Sequence, residues 1–110
     1  MDKIVKRGQI YIAELGNDYK IGVQSGKKPV IIVSNDVGNI HSPSVIVAVV
    51  TSKNKNMIPT HFEIDLKYPS TVMLEQLFTI NKEDLLTYIR DLTDEEMNDL
   101  NRCLKISIGL

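Results

Sequence analysis

Four residues of this chain, Lys28, Thr51, Glu75 and Gln76, have types and settings that could handle a phosphoryl group. Lys28 stands in the stretch GKKPVIIVSNDVGN, Gly26 to Asn39, immediately before a proline and a run of branched aliphatics. Pro29 biases the residue before it toward extended backbone, so the Lys28 cation is held in register at the mouth of a strand. Thr51 and Ser52 place two hydroxyls at the end of a second aliphatic run, Val45 to Val50. Glu75 and Gln76 put a carboxylate and an amide between two extended segments. A cation at a strand mouth could balance charge on a developing phosphorane. A neighbouring hydroxyl could hold a phosphate oxygen or a reacting 2′-hydroxyl, and a carboxylate could serve as base. Preorganised groups of this kind act on transition-state charge. Taken alone, the residues fit a surface lysine and a strand-capping threonine better than they fit this chemistry, and that alternative stays open.

Other chemistries find less support. His41 and His61 lie far apart and the chain has one cysteine, Cys103, so the four ligands of a structural zinc site are not in evidence. Neither a GxxxxGK[ST] phosphate loop nor a GxSxG nucleophile elbow occurs. Cys103 falls on the apolar stripe of a predicted helix, where a thiol serves as packing, not as a nucleophile. No cofactor is expected.

The elements that must position the four residues are mostly strands. Gln9 to Leu15 alternates loosely and follows an Arg7-Gly8 start signal. Residues 16–27 read as a long loop between strands, a common site of binding function. Pro29 to Val33 and Val45 to Val50 do not alternate and read as strands buried on both faces. Pro29 is expected only at the first residue of its strand or on an edge. Ser34 to Asn39 reads as a turn. Thr60 to Leu66 alternates, with His61, Glu63 and Asp65 on one face and Phe62, Ile64 and Leu66 on the other. Thr71 to Leu74 reads as a short strand broken by Glu75-Gln76 and resumed at Leu77. Asn81 to Arg90 fits either a helical turn or a return strand. Thr93 with Glu96 forms a capping box, and Met97, Leu100, Leu104 and Ile108 then line one stripe of a C-terminal amphipathic helix. Several short strands closed by one helix point to a small barrel or a strongly curved sheet.

The 110 residues fit a single domain, 1–110, with room for one modest core. The single cysteine excludes an internal disulfide and fits a reducing, cytoplasmic setting. No apolar run reaches membrane-spanning length and the N-terminus lacks a signal-peptide pattern, so no membrane partner is expected. The net charge of −1 hides a split: residues 1–60 hold eight Lys/Arg and four Asp/Glu, residues 61–110 five and ten. A basic face on a near-neutral protein could bind phosphates, or be ordinary surface variation.

Taken together, RGQIYIAEL, GKKPVIIVSNDVGN, VIVAVVTS, THFEID, LEQLFTINK and the DEEMNDLNRCLKISIGL helix resemble the MazF/PemK family of toxin endoribonucleases, over nearly the whole chain and most closely its Gram-positive members. The resemblance implies a mainly β fold with short helices, a small SH3-like barrel of the PemK/CcdB type closed by a C-terminal amphipathic helix. It implies a homodimer that cleaves single-stranded RNA at short sequences by attack of the RNA's own 2′-hydroxyl, without a metal. It also implies a MazE-like antitoxin whose C-terminal tail occupies the RNA groove.

Carried over residue by residue, the resemblance makes Lys28, Thr51 and Glu75 the catalytic positions. It assigns RNA contacts to Tyr19, Ser25, Lys27, Asn35, Ser52, Lys53 and Gln76, with bases read by the 16–27 and 52–58 loops and Tyr19 stacking. Asn35-Asp36 would organise a turn. Two departures stand out. The family usually carries arginine where this chain has Lys28, so one charge is kept but the planar fork is lost. Phe78 replaces an arginine common after the EQ step, and the loops after Thr51 and Asp65 look shorter than usual. A weakened or inactive RNA- or antitoxin-binding module is therefore the alternative, and a CcdB-like gyrase inhibitor a more distant one.

Overall fold

The computed structural model describes residues 4–16, 26–52 and 56–110. Its strands are β1 (Gln9–Glu14), β2 (Lys27–Ile32), β3 (Ser44–Thr51), β4 (His61–Asp65), β5 (Pro69–Asn81) and β6 (Leu85–Asp91), with helices α1 (Asp36–His41) and α2 (Asp94–Ile108). They form one six-stranded sheet in the order β4-β5-β3-β2-β1-β6, antiparallel in every bonded pair. The mainly β architecture with a C-terminal helix agrees with the sequence-based expectation.

The sheet curls until its two edges meet. Arg90 of β6 donates through Nη2 to the Asp65 carbonyl at the end of β4 (2.9 Å) and pairs with Glu96 of α2 through both guanidinium nitrogens (2.7 and 3.0 Å). One arginine thus joins the first and last strands of the sheet to the helix. Glu96 is simultaneously the capping-box residue of α2: its carboxylate accepts from the Thr93 amide, and the Thr93 hydroxyl accepts from the Glu96 amide. Gly8 makes the corresponding junction at the start of β1. Its amide donates to Ile32 and its carbonyl accepts from Leu92. With φ +91°, and a side-chain position that would lie 2.6 Å from the Met97 sulfur, only glycine fits there.

Both faces of the central strands are buried, as their unalternating sequences require. Val30, Ile32, Val47 and Val49 pack into one cluster with Tyr11 and Met73; Ile31, Ala48 and Val50 pack into another with Phe62, Ile64, Leu100 and Cys103 of α2. Burial raises the Cys103 thiol, partly offset by Arg102, and the sulfur donates to the His61 carbonyl. This is the packing role expected for it.

The structure corrects four local expectations. Pro29 is the third residue of β2, not its first; it is tolerated because the bonded ladder to β3 begins only at Val30. Ser34 to Asn39 is not a plain turn. The Asn35 side chain accepts from the Gly38 amide and caps the short helix α1, one too brief to show a period. Glu75-Gln76 does not break the chain into two strands. β5 runs unbroken for 13 residues, but its pairing with β3 slips between Ala48↔Leu77 and Val49↔Met73, so Leu74-Glu75-Gln76 forms a bulge. His61, placed by alternation with the exposed acids, is buried at 8% because it turns toward Glu75. The Asn81–Arg90 ambiguity resolves as one 3₁₀ turn, Lys82–Asp84, followed by strand β6.

Candidate active site

Lys28 and Thr51 belong to adjacent strands. The β2–β3 register is Val30↔Val49, Ile31↔Ala48 and Ile32↔Val47. Carried two residues past the last bonded pair, it sets Lys28 opposite Thr51, and one residue further Lys27 opposite Ser52. Alternation then gives the first pair the face of Val30 and Val49, and the second pair the other face. At this open end of the ladder the proline withholds an N–H.

All four residues line one pocket of about 470 Å³. Its apolar wall comes from Ile12, Pro29, Val50, Leu66 and Ile89, and its remaining lining from Lys67 and Tyr68 of the β4–β5 turn and Ser70 of β5. Three lysines, Lys27, Lys28 and Lys67, are among its lining residues, and no Asp or Glu is among those described. Thr51 is buried at 2%, whereas Ser52 and Lys27 are exposed and Lys28 is half-buried. A pocket lined by Thr51, Ser52 and three lysines, with no acid among its described lining residues, has the chemistry to hold a phosphodiester and stabilise added charge on it. Lys67 and Tyr68 were not singled out from the sequence. They come to the pocket only because the sheet curls the β4–β5 turn toward β2, and no local pattern reports that.

Glu75 and Gln76 are brought together elsewhere. Thr51 pairs with Thr71 on β5, and Glu75 lies four residues further along that strand, about 13 Å away. Its carboxylate accepts from the Thr60 hydroxyl (2.9 Å) and lies 2.8 Å from His61 Nε2. Burial would raise the Glu75 carboxyl, but the bonds from His61, its own backbone and Thr60 together hold it below the usual carboxylate range. The Gln76 amide oxygen is buried without a hydrogen-bond partner. Asn35 is the exposed cap of α1, at the opposite end of β2 from Lys28. Asp36 beside it accepts from the Arg7 amide and from Asn39, so the Asn-Asp pair does organise the connection after β2. Tyr19, Ser25 and Lys53 lie outside the described residues, as does most of the 16–27 loop. Among the described residues no cluster of three or more His, Cys, Asp or Glu side chains could hold a metal ion.

A curled antiparallel sheet closed by a C-terminal helix, with a lysine-lined pocket at the mouth of its central strands, defines a class that comparison with known proteins identifies. Residues 6–108 match the family model of PemK-like, MazF-like toxins of type II toxin–antitoxin systems, and the chain belongs to that family of toxin endoribonucleases. Among individual relatives it is 40% identical, over 97% of its length and 93% of the relative's, to the endoribonuclease MazF of Staphylococcus saprophyticus. A mycobacterial endoribonuclease solved in complex with its cognate antitoxin superposes with a TM-score of 0.82 at 30% identity, over 96% of both chains. MazF from Deinococcus radiodurans has the same fold at 14% identity, with a TM-score of 0.81 over 99% of this chain and all of that one.

Proposed function

We propose that this chain is a sequence-selective, metal-independent endoribonuclease that cleaves single-stranded RNA between Lys28 and Thr51. The observation that carries the reading is that Lys28 and Thr51, from adjacent strands, line one pocket with two further lysines and no described acid. The 2′-hydroxyl of one ribose loses its proton to water, which returns one to Lys28 after turnover, while its oxygen bonds to the adjacent phosphorus and the bond to the 5′-oxygen breaks, leaving a cyclic phosphate and a 5′-hydroxyl. Lys28 balances the charge of the phosphorane and gives a proton to the leaving oxygen. Thr51 orients the attacking ribose or the phosphate from the pocket wall. Lys27, Ser52 and Lys67 hold the flanking backbone, and the Tyr68 ring, 66% exposed at the pocket edge, offers a stacking surface for an unpaired base. The chain works as a cytoplasmic homodimer, restrained by a MazE-like antitoxin whose tail competes for the same lysines.

The test is to incubate the purified protein with a long single-stranded RNA in EDTA and map the cut ends. Discrete cuts are expected, and Lys28→Ala and Thr51→Ala each lower the rate by about 10² to 10³-fold, the usual cost of removing one preorganised transition-state contact. A folded protein that makes no cuts across diverse RNA sequences sinks the enzyme reading. That outcome favours the second one, an RNA- or antitoxin-binding module, to which lysine in the family's arginine position points.

A further inference from the structure

The ladder between β1 and β6 slips twice. Ile10 pairs with Arg90 but Tyr11 with Tyr88; Ile12 pairs with Thr87 but Ala13 with Leu85. β6 therefore carries two extra residues, Ile89 and Leu86, with no counterpart on β1. Both are large, apolar and exposed, at 37% and 47%. A bulge of this kind re-aims a side chain. Residues directly opposed across a ladder share a face, so an even register from Ile10↔Arg90 would set Ile89 on the buried face of Tyr11. The slip gives that place to Tyr88, whose ring meets the Tyr11 ring edge-on at 5.7 Å. Ile89 is left to the face of Ile12 and Thr87, and there it lines the pocket with Ile12 and Leu66.

The bulge is held from the next residue. Arg90 pairs with Glu96 of α2 and donates to the carbonyl of Asp65, the residue before Leu66. The Leu66 amide donates to the Tyr68 carbonyl (3.2 Å), so the same clamp sets the β4–β5 turn against β6. Ile12, Leu66 and Ile89 thus bring apolar surface to the pocket from three separate segments, with the exposed Tyr68 beside them. Across the β1–β2 ladder Ile12 is opposite Pro29, the residue after Lys28. Two strand spacings, about 10 Å, separate the backbones of β2 and β6, a span that one nucleotide covers from its phosphate to the far edge of its base.

We propose that Ile89, Leu66 and Ile12 are the floor of a base subsite: they take one face of the unstacked base of a nucleotide whose phosphate lies on the lysines, with the Tyr68 ring against its other face. The assignment rests on the reading of the pocket as an RNA site. Stacking between aromatic and apolar side chains is how a single unpaired base is held. A branched aliphatic at a fixed bulge offers that contact at little entropic cost, because its χ1 is already restricted. The floor has no hydrogen-bonding side chain, so it accepts a base by its face and tolerates any of the four. The lysines beside it select a ligand that is anionic as well as flat.

The probes that test this are fluorescein-labelled 2′-deoxy tetranucleotides, which lack the attacking hydroxyl, and a base-free tetramer of the same backbone charge. Wild type is expected to bind the base-bearing probes about fivefold or more tightly than the base-free one, with the ratio unchanged as salt weakens both. Ile89→Ala narrows the ratio to within about twofold, and Ile89→Val retains most of it. Leu86→Ala alters the other extra residue of β6, which is not among the pocket's described lining residues, and keeps the wild-type ratio. Thermal melts report folding, and Leu66→Ala repeats the test from the β4–β5 turn should Ile89→Ala not fold. A wild-type protein without preference for bases overturns the proposal, as does a folded Ile89→Ala with the wild-type ratio. If that variant instead loses affinity for an acidic peptide with apolar side chains, the floor serves a protein partner. The probes are bound and never cut, so the two readings fail separately. A base preference that falls with Ile89→Ala in a protein that cleaves no RNA upholds the subsite and sinks the ribonuclease. RNA cleavage with an unaltered ratio in Ile89→Ala does the reverse.

Discussion

At the scale of single residues, the role proposed for Lys28 sets how strongly the pocket would act. Its ammonium supplies one positive charge but not the flat two-pronged donor of an arginine, so it meets one phosphoryl oxygen at a time. Lys28→Arg is therefore expected to raise kcat/KM roughly tenfold, equivalent to about 1.4 kcal/mol of transition-state stabilisation. Measuring both kinetic constants on one defined RNA checks this; a drop in kcat would mean that proton donation by the amine outweighs the fork. Lys27 and Lys67 have a different task. In the proposed reading they act on backbone charge, so their alanine variants should weaken RNA binding and also flatten its decline with added salt, as measured by titration at several ionic strengths.

At the scale of elements, the closure of the sheet depends on the Arg90–Glu96 pair. The two side chains are 33% and 17% exposed, and the pair carries the Asp65 carbonyl and the α2 cap with it. Removing either partner strands hydrogen-bonding groups of the other, so Arg90→Ala or Glu96→Ala should cost about 1–3 kcal/mol in chemical denaturation. The acid side has a definite sign. The Arg90 guanidinium, acting against a smaller penalty from burial, holds Glu96 below the ordinary carboxylate range, with the Thr93 amide and hydroxyl adding to it. A lowered folded-state pKa contributes stability that is present above the unfolded value of about 4.3 and is lost as pH falls through the folded one. Glu96→Gln should therefore be less stable than wild type at pH 7, with the gap narrowing below about pH 4. Stability curves at the two pH values settle it.

At the scale of the whole molecule, many large apolar side chains remain on the surface of the single chain. Val37 and Ile40 of α1 are 70% and 65% exposed, and Ile106, Ile108 and Leu110 at the end of α2 are 49%, 53% and 85% exposed. A homodimer is the expected state, and light scattering on the eluting peak of a size-exclusion column should return twice the 12.4 kDa chain mass. An acidic antitoxin tail should compete with RNA for the lysine-lined pocket. A synthetic peptide of that kind is expected to inhibit cleavage less well as salt is raised, since both ligands depend on the same exposed charges. Inhibition independent of salt would place the antitoxin contact elsewhere.

Local chemistry determined a good part of this. The Thr93–Glu96 capping box, the unalternating strands around Val30 and Val47, and the placing of Lys28 by Pro29 are each set within a few residues, where propensity and capping operate. The dispersed motifs also sufficed to identify the family, which residues 6–108 match. Only the tertiary structure decided the rest, because it depends on partners distant in the chain. The capped helix after β2 has six residues, fewer than two turns, and so no period to read. The Leu74–Gln76 bulge is a mismatch between β5 and β3, visible only once the two strands are paired. His61 carries the alternation of an exposed residue, yet the bulge delivers Glu75 to it and the ring is buried. Lys67 and Tyr68 join the pocket through the curl of the sheet, a sum of small twists over six strands. Sequence periodicity reports which face of an element is apolar. It does not report which residues of two distant elements finish side by side, and the Lys28–Thr51 pocket and the His61–Glu75 contact are both made that way.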